Sequence, residues 1–247
     1  MVLCPDSWRN MAKTKIEWTD HTVNPVKGIC PVGCSYCYAR RLYKRFAWNP
    51  EIRYDDYWFE QLPKRRGCRI FVGSTMELFG PWIRDEWLSD ILYRCSRLPD
   101  TTFLFLTKSP ENLARWSPFP GNVHIGVTAT DSTSFSKATD GLMYVKAAVK
   151  FISIEPVLAP VRFYPGRLPY CGISWLIIGQ QTPVSKATMP KVEWIAEIVE
   201  AADKAGVKVF LKDNLVRCLG GYPIPKASMF AYHFTDGRFE LRQELPE

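Results

Sequence analysis

Six short apolar runs recur along the 247-residue chain, at 69–72, 102–106, 123–127, 151–154, 176–178 and 207–211, with a weaker strand candidate before them at 19–23, and each is followed by a stretch long enough for a crossover. Most are apolar on both faces. Strands covered on both sides in a parallel sheet have that composition, whereas a half-exposed antiparallel strand alternates. Between them, Leu88, Ile91, Leu92 and Cys95 fall at i, i+3, i+4 and i+7, one face of a helix, which makes Cys95 a packing residue. Val192, Ile195, Ala196 and Val199 repeat the spacing, with Pro190 expected in the first turn and Gly206 at the C-terminal cap. The fold class is therefore α/β, and such units either close into a complete or partial (β/α) barrel or open into a doubly wound sheet.

No Ser- or Gly-rich linker divides the chain, so residues 15–247 are expected to form one domain. Residues 1–14 read as an N-terminal extension, because Met11 offers a second plausible start. The segment 156–169 is Pro-rich and reads as a loop, and 230–234 and 238–241 around Asp236-Gly237 read as a small hairpin. An apolar share of 47% excludes wholesale disorder. No run approaches the roughly 18 apolar residues of a membrane helix, and no signal-peptide block opens the sequence, so the expected location is the cytoplasm without a membrane partner.

Nearly every apolar run ends in polar residues or glycine: Gly73-Ser74-Thr75 with Glu77, Thr107-Lys108, Thr128, Glu155, Gly179-Gln180-Gln181 and Lys212-Asp213. In a parallel barrel the strand C-termini share one face, where ligands bind. Acids, lysines, hydroxyls and an amide on that face suit a polar, zwitterionic ligand. Thr107 and Asp213 are the first candidates for mere helix capping.

Eight cysteines occupy positions 4, 30, 34, 37, 68, 95, 171 and 218, and three of them crowd into Cys30-Pro-Val-Gly-Cys34-Ser-Tyr-Cys37. A disulfide scaffold spreads its cysteines, and a chain of this length does not need one. The spacing C-x3-C-x2-C lets one loop turn three thiolates toward a common centre, and thiolates are soft ligands for zinc or iron-sulfur clusters. Three ligands leave one iron of a [4Fe-4S] cluster open. A structural zinc site is the alternative, with Cys4 or His21 as fourth ligand.

At these residues the sequence resembles the radical S-adenosylmethionine superfamily, whose signature C-x3-C-x-aromatic-C places Tyr36 at the aromatic position. Ile16-Glu17-Trp18-Thr19-Asp20, Asn24-Pro25-Val26 and Cys37-Tyr38-Ala39 are similar to the phage Gp37/Gp68 family, itself distantly similar to spore photoproduct lyase. The likeness continues through Val72-Gly73-Ser74, Leu104-Phe105-Leu106-Thr107-Lys108, Ser153-Ile154-Glu155-Pro156 and Ile177-Ile178-Gly179. The resemblance implies a partial barrel of about six parallel strands with a small C-terminal extension. It also implies a [4Fe-4S] cluster on Cys30, Cys34 and Cys37 whose open iron chelates S-adenosylmethionine. Reductive cleavage then yields a 5′-deoxyadenosyl radical that takes a hydrogen atom from substrate, with electrons from a reductase, flavodoxin or ferredoxin. By family position, Ser74, Thr75 or Glu77 binds the amino group of the cofactor. From location and charge, Lys108 is expected to pair with its carboxylate, Thr128 and Glu155 to bind its ribose hydroxyls, and the backbone at Tyr36 and Gly179 to contact its adenine, with Gln180 beside them. The reaction outcome, whether lyase, isomerase or transferase, is not implied.

The formal charge is +7, and Arg40, Arg41, Lys44 and Arg45 stand with Tyr43, Phe46, Trp48 and Tyr57, followed by Lys64, Arg65 and Arg66. Cations interleaved with aromatics suit DNA, RNA or a nucleotide as substrate, and a solvated helix face accounts for the same residues. A second class of function is a nucleic-acid-binding accessory protein in which a zinc or iron-sulfur site serves only structure. Cys68, Cys171 and Cys218 read as buried packing, with a hydrogen-atom donor to a product radical as the alternative for one near the rim, and His124 and His233 read as ordinary single histidines.

Overall fold

The computed structural model describes residues 14–60, 62, 67–219, 229–235 and 238–246. In chain order the elements are β1 (His21–Val23), β2 (Val26–Lys27), α1 (Tyr38–Phe46), β3 (Arg53–Tyr54), β4 (Arg69–Val72), α2 (Asp85–Ser96), β5 (Thr102–Thr107) and β6 (Val123–Ala129). There follow α3 (Ser132–Met143), β7 (Val149–Ile154), α4 (Arg167–Tyr170), β8 (Ile173–Ile178), α5 (Val192–Lys204), β9 (Lys208–Leu211), α6 (Val216–Leu219) and the hairpin β10 (Ala231–Thr235) with β11 (Arg238–Leu241).

All seven strand candidates become strands of one parallel sheet in the order β1-β4-β5-β6-β7-β8-β9. The expectation of a partial barrel of about six parallel strands is borne out, with seven strands in the sheet. The seventh is the short β1, whose polar Thr22 weakens its apolar pattern and whose His21 and Val23 pair with Ile70 and Val72. Each strand in the sheet is followed by the next in sequence, with only the ribbon β2–β3 set aside. A doubly wound sheet reverses direction at a switch point; this order never does, which selects barrel-type winding.

Several strands extend beyond their apolar runs. Thr107 and Thr128 lie inside β5 and β6 rather than after them, and β8 begins three residues early, because exposed Ser174 interrupts its pattern. Pro190 precedes the Lys191 cap of α5 instead of occupying its first turn, while Gly206 adopts φ +66 just past the helix.

The chain divides into two compact units. The first comprises residues up to Gly126 with Lys146–Ala148; Ile70, Phe103, Phe105 and Leu113 are fully buried there, as are Leu88, Ile91 and Cys95 of α2. The second comprises Val127–Val145 and the chain from Val149 onward; Phe151, Ile154, Trp175 and Val209 fill its interior with Ile195, Ile198 and Val199 of α5. Asp131 and Ser134 form a reciprocal capping box that starts α3. Cys4, Met11, Lys64, Arg65, Arg66, the Asp236-Gly237 turn and the side chain of His233 lie outside the described residues. Among the described residues no helix is long and apolar enough to cross a membrane.

Candidate functional site

The cysteine loop of the first unit is pinned at both ends. Gly28 has φ +119, and a Cβ there would meet the Glu51 carbonyl oxygen at 2.5 Å, so only glycine lets the chain pass. Its N–H donates to the Tyr43 hydroxyl at 2.7 Å, and Ile29 N–H donates to the Pro50 carbonyl at 2.9 Å. At the far end Cys37 caps α1, and Arg40 reaches back from that helix to donate to the Cys30 carbonyl at 2.8 Å. Cys30, Cys34 and Cys37 are free and half-buried; Cys68, Cys95, Cys171 and Cys218 are buried.

Cys30 joins this loop to the end of β4. Burial pushes its thiol up, and backbone N–H groups of Glu77 and Val32 act against that rise, while the Glu77 carboxylate and Cys34 add to it. The turn out of β4 is made by Gly73 at φ +80, whose N–H donates to the Val23 carbonyl at 2.8 Å. Asn24 Oδ1 then accepts from the Thr75 amide at 3.0 Å, the Thr75 hydroxyl at 3.0 Å and the Ser74 hydroxyl at 3.2 Å. The Tyr38 hydroxyl donates to the Ser74 carbonyl at 2.7 Å.

Glu77 is 6% exposed and acts as a clasp between the β4 and β5 ends. Oε1 accepts from Thr107 Oγ1 at 2.6 Å and from Phe79 N–H at 3.0 Å, and Oε2 accepts from Lys108 N–H at 2.6 Å. Thr107 also accepts from Ser109 N–H at 2.9 Å, so its hydroxyl serves this junction. The first unit thus brings Ser74, Thr75, Glu77 and the Lys108 backbone to the strand ends beside Cys30, and Tyr36 sits half-buried within the cysteine loop. Asn24 and Tyr38 organise this corner but were not among the expected site residues. Asn24 is the polar residue that ends β1, so the strand-end rule applied to the other strands would have found it.

In the second unit Thr128 is buried on β6. Glu155 Oε1 accepts from Lys212 Nζ at 2.6 Å across the ends of β7 and β9. Gly179 lies beneath that pair: a Cβ there would stand 2.9 Å from Lys212 Cδ and 3.1 Å from Glu155 Cδ. Its N–H donates to the Ile154 carbonyl and its carbonyl accepts from Val157 N–H. Gln180 is 0% exposed. Its backbone exchanges hydrogen bonds with the Asn214 amide, its Nε2 donates to the Asn214 carbonyl, and its Oε1 is buried without a partner among the described residues. Lys212 and Asn214 are partners that only this packing reveals. Asp213 caps no long helix; it opens a single turn and accepts from Gln243 Nε2 at 2.8 Å.

Among the described residues no three His, Cys, Asp or Glu side chains are gathered closely enough to hold a metal ion, with or without His21. The donor set nonetheless fits a soft metal centre. Three unpaired thiols share one loop, and the sulfur of Cys30 already faces two amide N–H groups of the kind that tune iron-sulfur clusters.

Known structures share this fold. A cysteine-to-serine variant of spore photoproduct lyase superposes with TM-score 0.55 at 13% identity, over 82% of this chain and 79% of that one. A cysteine-to-alanine variant with dinucleoside spore photoproduct gives TM-score 0.54 at 13% identity and the same coverage. A double variant with bound AdoMet and dinucleoside spore photoproduct gives 0.51 at 12% identity, over 89% of this chain and 62% of that one. Across the lyase structures the chain spans 58% to 79% of the length it matches. No curated protein matches the chain in sequence. One family profile matches residues 13–217, from before β1 into α6, and therefore takes in the cysteine loop and every strand of the sheet: the chain belongs to the family described as "Protein of unknown function (DUF5131)".

Proposed function

We propose that this chain is a cytoplasmic radical S-adenosylmethionine enzyme, related to the phage Gp37/Gp68 group, that acts on a nucleic acid or nucleotide. The observation that carries the reading is the junction of the three-thiol loop with the β4 end, where the sulfur of Cys30 meets the Glu77 amide. The lyase-like fold adds support, since structures of spore photoproduct lyase hold AdoMet and a dinucleoside photoproduct. Cys30, Cys34 and Cys37 are the residues to hold a [4Fe-4S] cluster. When bound, cluster and S-adenosylmethionine supply one-electron cleavage of a sulfonium bond and hydrogen-atom abstraction, fed by an external reductase, flavodoxin or ferredoxin.

The chain's own residues prepare the ligand sites. Cys30 must lose its proton to bind iron, and the amides of Glu77 and Val32 favour the thiolate against the cost of burial. Ser74 and Thr75, fixed by Asn24, present hydroxyls for the amino group of the cofactor, and exposed Lys108 offers an ammonium for its carboxylate. Glu77 is committed to its clasp, which leaves the amino group to the hydroxyls. In the second unit Thr128 and Glu155 remain the proposed ribose contacts. There Gln180 Oε1, a buried acceptor, suits an N–H donor of a base better than a hydrocarbon. Residues 15–247 are taken as one working domain because the strand order passes through both units without reversal.

Anaerobic reconstitution with iron and sulfide, followed by dithionite and S-adenosylmethionine, tests the proposal. Four irons per chain and release of 5′-deoxyadenosine are expected, both lost in Cys34→Ala. Stoichiometric zinc without cofactor cleavage would instead support the accessory nucleic-acid-binding protein.

A further inference from the structure

We propose that α1 and the turn after it form a platform for single-stranded nucleic acid, on which Phe46 and Trp48 stack with bases while Lys44 and Arg45 meet phosphates. Of the nine residues of α1, Arg40, Arg41, Lys44 and Arg45 are basic, none is acidic, and all four cations are exposed. Among the described residues no carboxylate pairs with Lys44 or Arg45.

The turn makes the platform. Ala47 has φ +48, the one positive value at a non-glycine residue among the described residues, and it folds the chain back so that Trp48 N–H donates to the Tyr43 carbonyl at 3.2 Å. Trp48 thereby stacks on Phe46, with centroids 5.5 Å apart and 21° between the planes, and Tyr43 meets it edge-on at 5.3 Å. The pair remains open: Phe46 is 52% exposed and Trp48 47%. The Arg45 guanidinium lies 5.3 Å from the Phe46 centroid. A merely solvated helix face has no need of two large rings held together in water. An acidic peptide would match the cations but not the ring faces, whereas a single strand presents bases and phosphates together.

The platform also has a fixed relation to the cysteine loop. Buried Tyr43, which supports Trp48 from below, accepts the Gly28 N–H with its hydroxyl, and Arg40 of the same helix holds the Cys30 carbonyl. A strand lying along α1 therefore leads toward Cys37, the cap of that helix, over roughly 13 Å at 1.5 Å per residue.

The inference deepens the nucleic-acid reading above and rests on it for the ligand class. Its test is fluorescence anisotropy of the full chain with labelled single-stranded DNA across a salt series. Trp48→Ala is expected to weaken binding roughly 5- to 100-fold and Trp48→Phe to restore it. Each lost cation in Lys44→Gln and Arg45→Gln should flatten the slope of log affinity against log salt by about 0.7. A thermal midpoint close to the parent's marks the variants as folded, as expected for exposed side chains. If the parent binds but Trp48→Ala binds equally well, the strand lies elsewhere: the platform fails and the substrate class survives. If polyglutamate displaces the strand as well as unlabelled DNA does, the surface reads only charge and the platform fails. If the parent binds no nucleic acid even at low salt, platform and substrate class fail together.

Discussion

Replacing Glu77 with Gln separates two roles that its position allows. The carboxylate accepts from the Thr107 hydroxyl, the Phe79 amide and the Lys108 amide, and it is nearly sealed from water. Glutamine keeps the shape and one acceptor oxygen, which still serves Thr107 and Phe79. Its NH2 group then faces the Lys108 N–H, donor against donor. One charge-assisted bond is lost and one half-buried donor is left facing another donor, a cost of about 2–3 kcal/mol. For a chain of this size that corresponds to a fall of about 4–12 °C in thermal midpoint. Differential scanning fluorimetry without any cofactor measures it. Thr107→Val in the same background should be strongly non-additive, because both changes remove one network. An unchanged midpoint in Glu77→Gln, accompanied by lost affinity for S-adenosylmethionine, would refute the clasp and return Glu77 to the cofactor.

Burial acts to raise the Asp131 carboxyl, but donors from Ser134 and Thr130 outweigh it and hold it below its ordinary 3.8. The charged form is thus favoured in the folded state, and its contribution is present above the unfolded value and lost as pH falls through the folded one. Asp131→Ala should cost about 1 kcal/mol at neutral pH, with a deficit that shrinks in acid denaturation series. His124 is lowered from 6.5 to about 4 by burial and then by Arg69. The unfolded chain takes up this proton more readily, so stability falls as pH drops from 6.5 toward 4, by about 3 kcal/mol in total. His124→Gln should flatten that window in urea titrations, and an equal acid slope in both proteins would count against the assignment. Ala47→Gly should raise stability by about 1 kcal/mol, since glycine adopts the left-handed turn without the Cβ conflict. A lower unfolding midpoint would argue that Ala47 is not strained.

The approximate place of the seven sheet strands, the packing face of α2 and the thiol loop were legible in the sequence, because these depend on spacing within a few residues, whereas the ribbon β2–β3 was not. Both-sided apolar runs at 102–106 and 176–178 had to be covered strands, and Cys30, Cys34 and Cys37 had to share one loop. The sequence left open whether the sheet winds one way or two, since short β/α units are locally alike in both; the order from β1 to β9 decided that. The family resemblance offered Glu77, beside Ser74 and Thr75, as a contact for the amino group of the cofactor. Only the meeting of Glu77 with Thr107, thirty residues on, turned it into a clasp. Gln180 met Asn214, Gly28 met Glu51, and Ala47 turned Trp48 onto Phe46 for the same reason. Distant side chains are assigned partners by the stacking of strands and the closing of turns, and neither is written in any one stretch of residues.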